Sequence, residues 1–79
     1  MRTQTIEFFL QEQAAGAKPG TWRTLETFEE GQWLEGAETE ANFRLACHRA
    51  KRPANSFQVV RVTVTRELVH LAVPGKAVA

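Results

Sequence analysis

A chain of 79 residues with a formal net charge of +1 holds one domain and one core. Such a core buries only about 60% of the unfolded surface, so self-association would add appreciably to stability. The single cysteine, Cys47, excludes an internal disulfide framework, and no apolar run reaches the roughly 18 residues of a membrane span. Arg2, Gln4 and Glu7 interrupt the start, which excludes a signal peptide, so a soluble protein of a reducing cytoplasm is expected. The charge is uneven: residues 1–40 carry eight Glu against Arg2, Lys18 and Arg23, whereas residues 41–79 carry seven Lys/Arg against Glu67, balances of −5 and +6. Asymmetry of this kind accompanies surfaces for acidic partners.

Thr3 to Gln13 reads as a strand, because Ile6, Phe8 and Leu10 alternate with Thr5, Glu7 and Gln11, leaving Phe9 on the second face. Residues 14–20 read as a turn, with Gly16 and Gly20 free to adopt positive φ and Pro19 suited to a turn's second position. Thr21 to Phe28 is the second strand, in which Trp22, Leu25 and Phe28 break the alternation and point to a bulge. Glu29 to Gly36 is a loop or a ragged helix entry containing Trp33 and Leu34, with Gly31 and Gly36 as breakers.

The spacing predicts a helix over Ala37 to Lys51, with Glu38 and Glu40 in its first turn, His48, Arg49 and Lys51 in its last, and Pro53 stopping it. At about 100° per residue, Leu34, Ala37, Ala41 and Leu45 form one apolar stripe, and Phe43, Ala46, Cys47 and Ala50 form another nearly opposite. One sheet can cover only one of them. Phe57 to Thr65 is a further strand, with Val60, Val62 and Val64 on one face and Phe57, Val59, Arg61 and Thr63 on the other. Leu68 to Val73 either adds a fourth strand or continues the third. The expected architecture is therefore α+β, a two-layer ββαββ domain over residues 1–73. It has an antiparallel sheet of three to four strands, one helix across it, and residues 74–79 as a flexible tail.

Reactive constellations do not emerge. Cys47, His48 and His70 fall short of a zinc ligand set, and helix neighbours about 100° apart do not share a proton, so Cys47 reads as a packed apolar thiol. His70 reads as an ordinary strand residue. No carboxylate pair, phosphate-cradling glycine loop or nucleophile elbow is present, so neither enzyme activity nor a cofactor nor a metal is expected. The candidates for partner binding are Trp33, in a Gly-flanked loop where burial is hard to arrange; Phe43 and Cys47 on the surplus helix stripe; and Arg44, Arg49, Lys51, Arg52 and Arg61. These basic groups also suit a nucleic acid, although cations at a helix C-terminus are favoured by the macrodipole without any ligand. The leading expectation is a protein-interaction module; the alternatives are a nucleic-acid-binding domain and a structural homo-oligomer, including a homodimer.

The segments "TWRTLETFE", "AETEANFRLACHRAKRP" and "FQVVRVTVTRELV" together resemble the small accessory proteins of bacterial phages and mobile elements, of which anti-CRISPR proteins are one example. The resemblance covers most of the chain without a diagnostic motif. It implies a stoichiometric inhibitor or adaptor of a host protein complex, acting in the bacterial cytoplasm, and carries over no functional residue.

Overall fold

Alternation in the first segment and valines in the last place two long strands side by side. The computed structural model describes residues 2–75. Its elements are β1 (Arg2–Gln13), β2 (Arg23–Glu29), α1 (Ala37–Lys51) and β3 (Ser56–Glu67). The sheet has the order β2-β1-β3 with both pairings antiparallel. The class is α+β, and the order of elements is ββαβ. The anticipated fourth strand over Leu68–Val73 does not form. Arg2 already opposes Glu67, so no described residue of β1 remains to pair with the chain beyond Glu67. Leu68, Val69, Leu71 and Val73 are instead exposed in an irregular segment. Of the anticipated tail, Pro74 and Gly75 are exposed, and residues 76–79 lie outside the described part.

The buried core is Phe8, Leu10, Phe28, Ala37 and Ala41, with Ile6, Trp33, Leu45 and Val59 packed partly against it. Phe8 faces Phe28 and Leu10 faces Glu26 across β1–β2, while Leu10 faces Val59 across β1–β3. One sheet face thus carries the core, and α1 lies on that face through two alanines small enough to let its backbone approach closely. Leu34, assigned from the sequence to the same stripe, is fully exposed. It precedes the helix, where the step of about 100° does not apply.

The bulge expected in the second strand lies opposite Leu10/Gln11: Glu26 pairs with Leu10, Thr24 with Gln11 and Arg23 with Glu12, which leaves Leu25 as the extra residue. That single insertion re-aims the strand, because it puts both Arg23 and Glu26 on the helix side while Thr24 joins the opposite face. β2 pairs with β1 only from Glu7 to Glu12, whereas β3 pairs along all of Arg2 to Gln13. The half of the sheet made by Arg2–Thr5 and Val64–Glu67 is consequently a two-stranded ribbon without β2 beside it.

Candidate interaction surface

Three polar side chains converge on a buried carboxylate at the closed end of the sheet. Glu12 follows Phe8 and Leu10 at period two and shares their inward direction, leaving it 6% exposed. It accepts hydrogen bonds from Arg23 Nη2 at 3.0 Å, from Asn55 Nδ2 at 2.9 Å and from Arg52 Nε. The Asn55 amide and the Arg52 guanidinium beside it hold its carboxyl well below the usual range, down to about 2, against the opposing effect of burial. Arg52 also lies over the Phe57 ring, 5.8 Å from its centroid. The network continues to Glu26, which accepts from Arg44 Nη1 at 3.1 Å and contacts His48 Nε2 at 2.9 Å. Arg52 Nη2 approaches His48 Nδ1 at 3.2 Å. A guanidinium can only donate, so Nδ1 accepts and the imidazole proton sits on Nε2, aimed at Glu26. Every group here is satisfied by another part of the fold, which makes the cluster a clasp between helix end and sheet rather than a vacant site.

The clasp redistributes the basic residues singled out from the sequence. Arg44 is tied to Glu26 and Glu40, and Arg52 to Glu12. Arg49, Lys51 and Arg61 are exposed and make no ion pair among the described residues. Phe43, 61% exposed, and Cys47, also exposed, share the outer helix face. Cys47 is therefore not the packed thiol anticipated, because Ala37 and Ala41 turn the other stripe to the sheet. Trp33 departs from its anticipated exposure as well. Its ring packs on Phe28 at a centroid distance of 5.3 Å, and its Nε1 is buried without a partner.

The face of the sheet away from α1 was not singled out in the sequence, although the alternation of β3 marks it. Register puts Phe9 beside Val60, Glu7 beside Val62 and Thr5 beside Val64. Phe9 and the three valines are half-buried. At one end of this face Gln58 donates to Gln11 and Gln11 to Thr24. At the other, Arg66 reaches Thr5 and Glu7. Among the described residues, no helix or strand lies over the apolar centre between these polar ends, and none pairs with the β3 edge beside it.

Compared with protein-family models, with curated proteins and with solved structures, the chain matches none. Among the described residues no helix is long and apolar enough to cross a membrane.

Proposed function

We propose that this chain is a non-enzymatic protein-interaction module that binds through its open sheet face and the free edge of β3. The observation that supports this reading is the strip Phe9, Val60, Val62 and Val64, interrupted by Glu7, which Arg66 approaches, bounded by polar groups at both ends and covered by no second layer among the described residues. Contiguous apolar surface rimmed by polar side chains characterises protein contact sites. The reading moves the contact away from Trp33, Arg44 and Arg52, which the fold itself engages. The same engagement counts against a nucleic-acid interface, since binding phosphate with Arg44 or Arg52 would require breaking contacts to Glu26 or Glu12. In its narrower form the reading is a stoichiometric inhibitor or adaptor of a bacterial host complex, supported by the resemblance in kind to phage accessory proteins.

The test is capture on tagged chain from bacterial lysate, with and without nuclease and supplemented with untagged chain, at low and raised salt, comparing wild type with Val62→Lys. Stoichiometric protein held by wild type at both salt concentrations and lost by the variant is expected. Capture of nucleic acid that falls with salt and is unaffected by Val62→Lys would overturn the reading.

A further inference from the structure

The two outer edges of the sheet are built differently. β2 has seven residues, a bulge at its centre and Arg23, Glu26 and Glu29 along it, features that blunt an edge against further pairing. β3 runs for 12 residues, SFQVVRVTVTRE, without proline, glycine or lysine and without a bulge in its register with β1. It is long, regular and rich in β-branched residues, the description of an edge that accepts another strand.

The direction of its free hydrogen-bonding groups is set by the register. Glu30 N donates to Ile6 O at 3.0 Å, so the even-numbered backbone groups of β1 around Ile6 point toward β2 and the odd-numbered ones toward β3. Glu7 opposes Val62, so Val62 turns its N–H and C=O inward to β1. Arg61, Thr63 and the other odd-numbered residues of β3 turn theirs outward.

We infer that β3 pairs antiparallel with β3 of a second copy about a two-fold axis at Val62, forming a dimer with a continuous six-stranded sheet. The inference rests on the interaction reading above and names its partner. Outward groups on odd residues of one copy must meet outward groups on odd residues of the other, which forces the axis onto a residue and puts both helices on the same side. Among such registers, centring on Val62 pairs all three valines of the open face: Val62 with Val62, and Val60 with Val64. A shift to Arg61 sets two guanidinium groups face to face, and a shift to Thr63 sets Val60 against Arg66. The same register lays the ribbon half Val64–Glu67 of each copy along the supported half Phe57–Val60 of the other. Two-stranded ribbons are marginal in water, so each copy supplies what the other lacks.

A second feature, the exposed C-terminal arm, is compatible with this register. Glu67 falls opposite Phe57 of the second copy, so the irregular arm leaves the sheet beside that copy's Pro53, Asn55 and Ser56. Those residues, with Leu45, Arg49 and Phe57, line a groove of about 290 Å³ between the helix end and β3. Val69 and Leu71 are apolar and lie within four residues of Glu67, close enough for the arm to reach that groove. They are 91% and 66% exposed, as Leu68 is 50% and Val73 67%. Covering this apolar arm on both copies adds to the area buried by the strand pairing, a stable interface needing about 1,200 Å² or more in all.

Oxidative cross-linking in a Cys47→Ser background tests the register, with sedimentation of the full chain as a function of concentration for the stoichiometry. Paired positions without mutual hydrogen bonds stand about 4.5 Å apart at Cα, within reach of a disulfide. Expected are a concentration-dependent dimer, a disulfide-linked dimer of Val62→Cys, and cross-linking of Val60→Cys to Val64→Cys only when the two are mixed. Leu71→Asp should weaken the dimer about tenfold or more. A dimer in which none of these cysteine pairs joins would overturn the inference, as would a monomer at every concentration. In the monomer case, foreign protein captured by wild type and lost by Val62→Lys leaves the interaction reading standing, whereas no capture ends both.

Discussion

Glu12 is an acidic residue at a position that alternation reserves for the core, and the fold accommodates it with three donors from β2, the helix end and the loop after it. Its carboxyl is held at about 2 against an ordinary 4.5. A depressed folded-state value means that the stabilisation is complete above the ordinary value and is lost as pH falls from about 4.5 towards 2. Urea midpoints measured at pH 7 and at pH 3 should therefore separate for the wild type. In Glu12→Gln the pH 7 midpoint should drop and the separation should shrink. An unchanged separation would show that other carboxylates govern the acid limb. Trp33 presents the reverse case, an apolar ring well placed on Phe28 but carrying a buried N–H without an acceptor. An unpaired buried donor costs about 1–3 kcal/mol. Trp33→Phe should accordingly change stability by less than about 1 kcal/mol, the lost ring area being offset by removal of that donor, while Trp33→Ala should cost about 3 kcal/mol. Equilibrium unfolding of the two variants distinguishes this from a purely area-based loss.

At the scale of elements, the helix was legible in full. Glu38 and Glu40 at its start, His48, Arg49 and Lys51 at its end, and Pro53 beyond bound Ala37–Lys51 as observed. The β2 bulge was legible too, since Trp22, Leu25 and Phe28 cannot alternate on one face. Which helix stripe meets the sheet was not, because both mix small residues with large apolar ones and the choice depends on how closely the backbone must approach. Ala41 is completely buried, so the approach is as close as an alanine permits. Ala41→Leu should therefore cost about 1–3 kcal/mol through overpacking, read from the shift in urea midpoint. Ala46→Leu, on the exposed side, should cost almost nothing. The clasp was hidden for a different reason: Glu12 and Asn55 are 43 residues apart in the chain, and composition signals no such pairing. One half of it was nevertheless visible, since Glu12 continues the period-two series of Ile6, Phe8 and Leu10. The same periodicity placed Val60, Val62 and Val64 on one face, but whether that face met the helix or stayed open depended on the register with β1.

The whole molecule is more extended than its length requires. The Cα radius of gyration is 18.3 Å, where a compact chain of this size would have about 12 Å. The projecting ribbon and the exposed arm account for the excess, and both lie at the end of the molecule farthest from the clasp. Their contribution to the monomer is small: Leu68, Val69, Leu71 and Val73 are each at least half exposed, and the core Phe8, Leu10 and Phe28 does not involve them. Ending the chain after Glu67 should thus leave the fold intact, with the Arg2–Glu67 ion pair exposed enough to add little either way. The truncated and full chains should melt within a few degrees of each other when dilute. They should diverge as concentration rises, because the truncated chain keeps the β3 edge but not the arm and so binds its second copy more weakly, and association raises the melting temperature more for the tighter dimer. Calorimetric or circular-dichroism melts of both chains over a concentration series supply the comparison. Equal midpoints at every concentration would mean that the arm contributes nothing to association, while a truncated chain that no longer melts cooperatively would mean that the arm belongs to the folding unit itself.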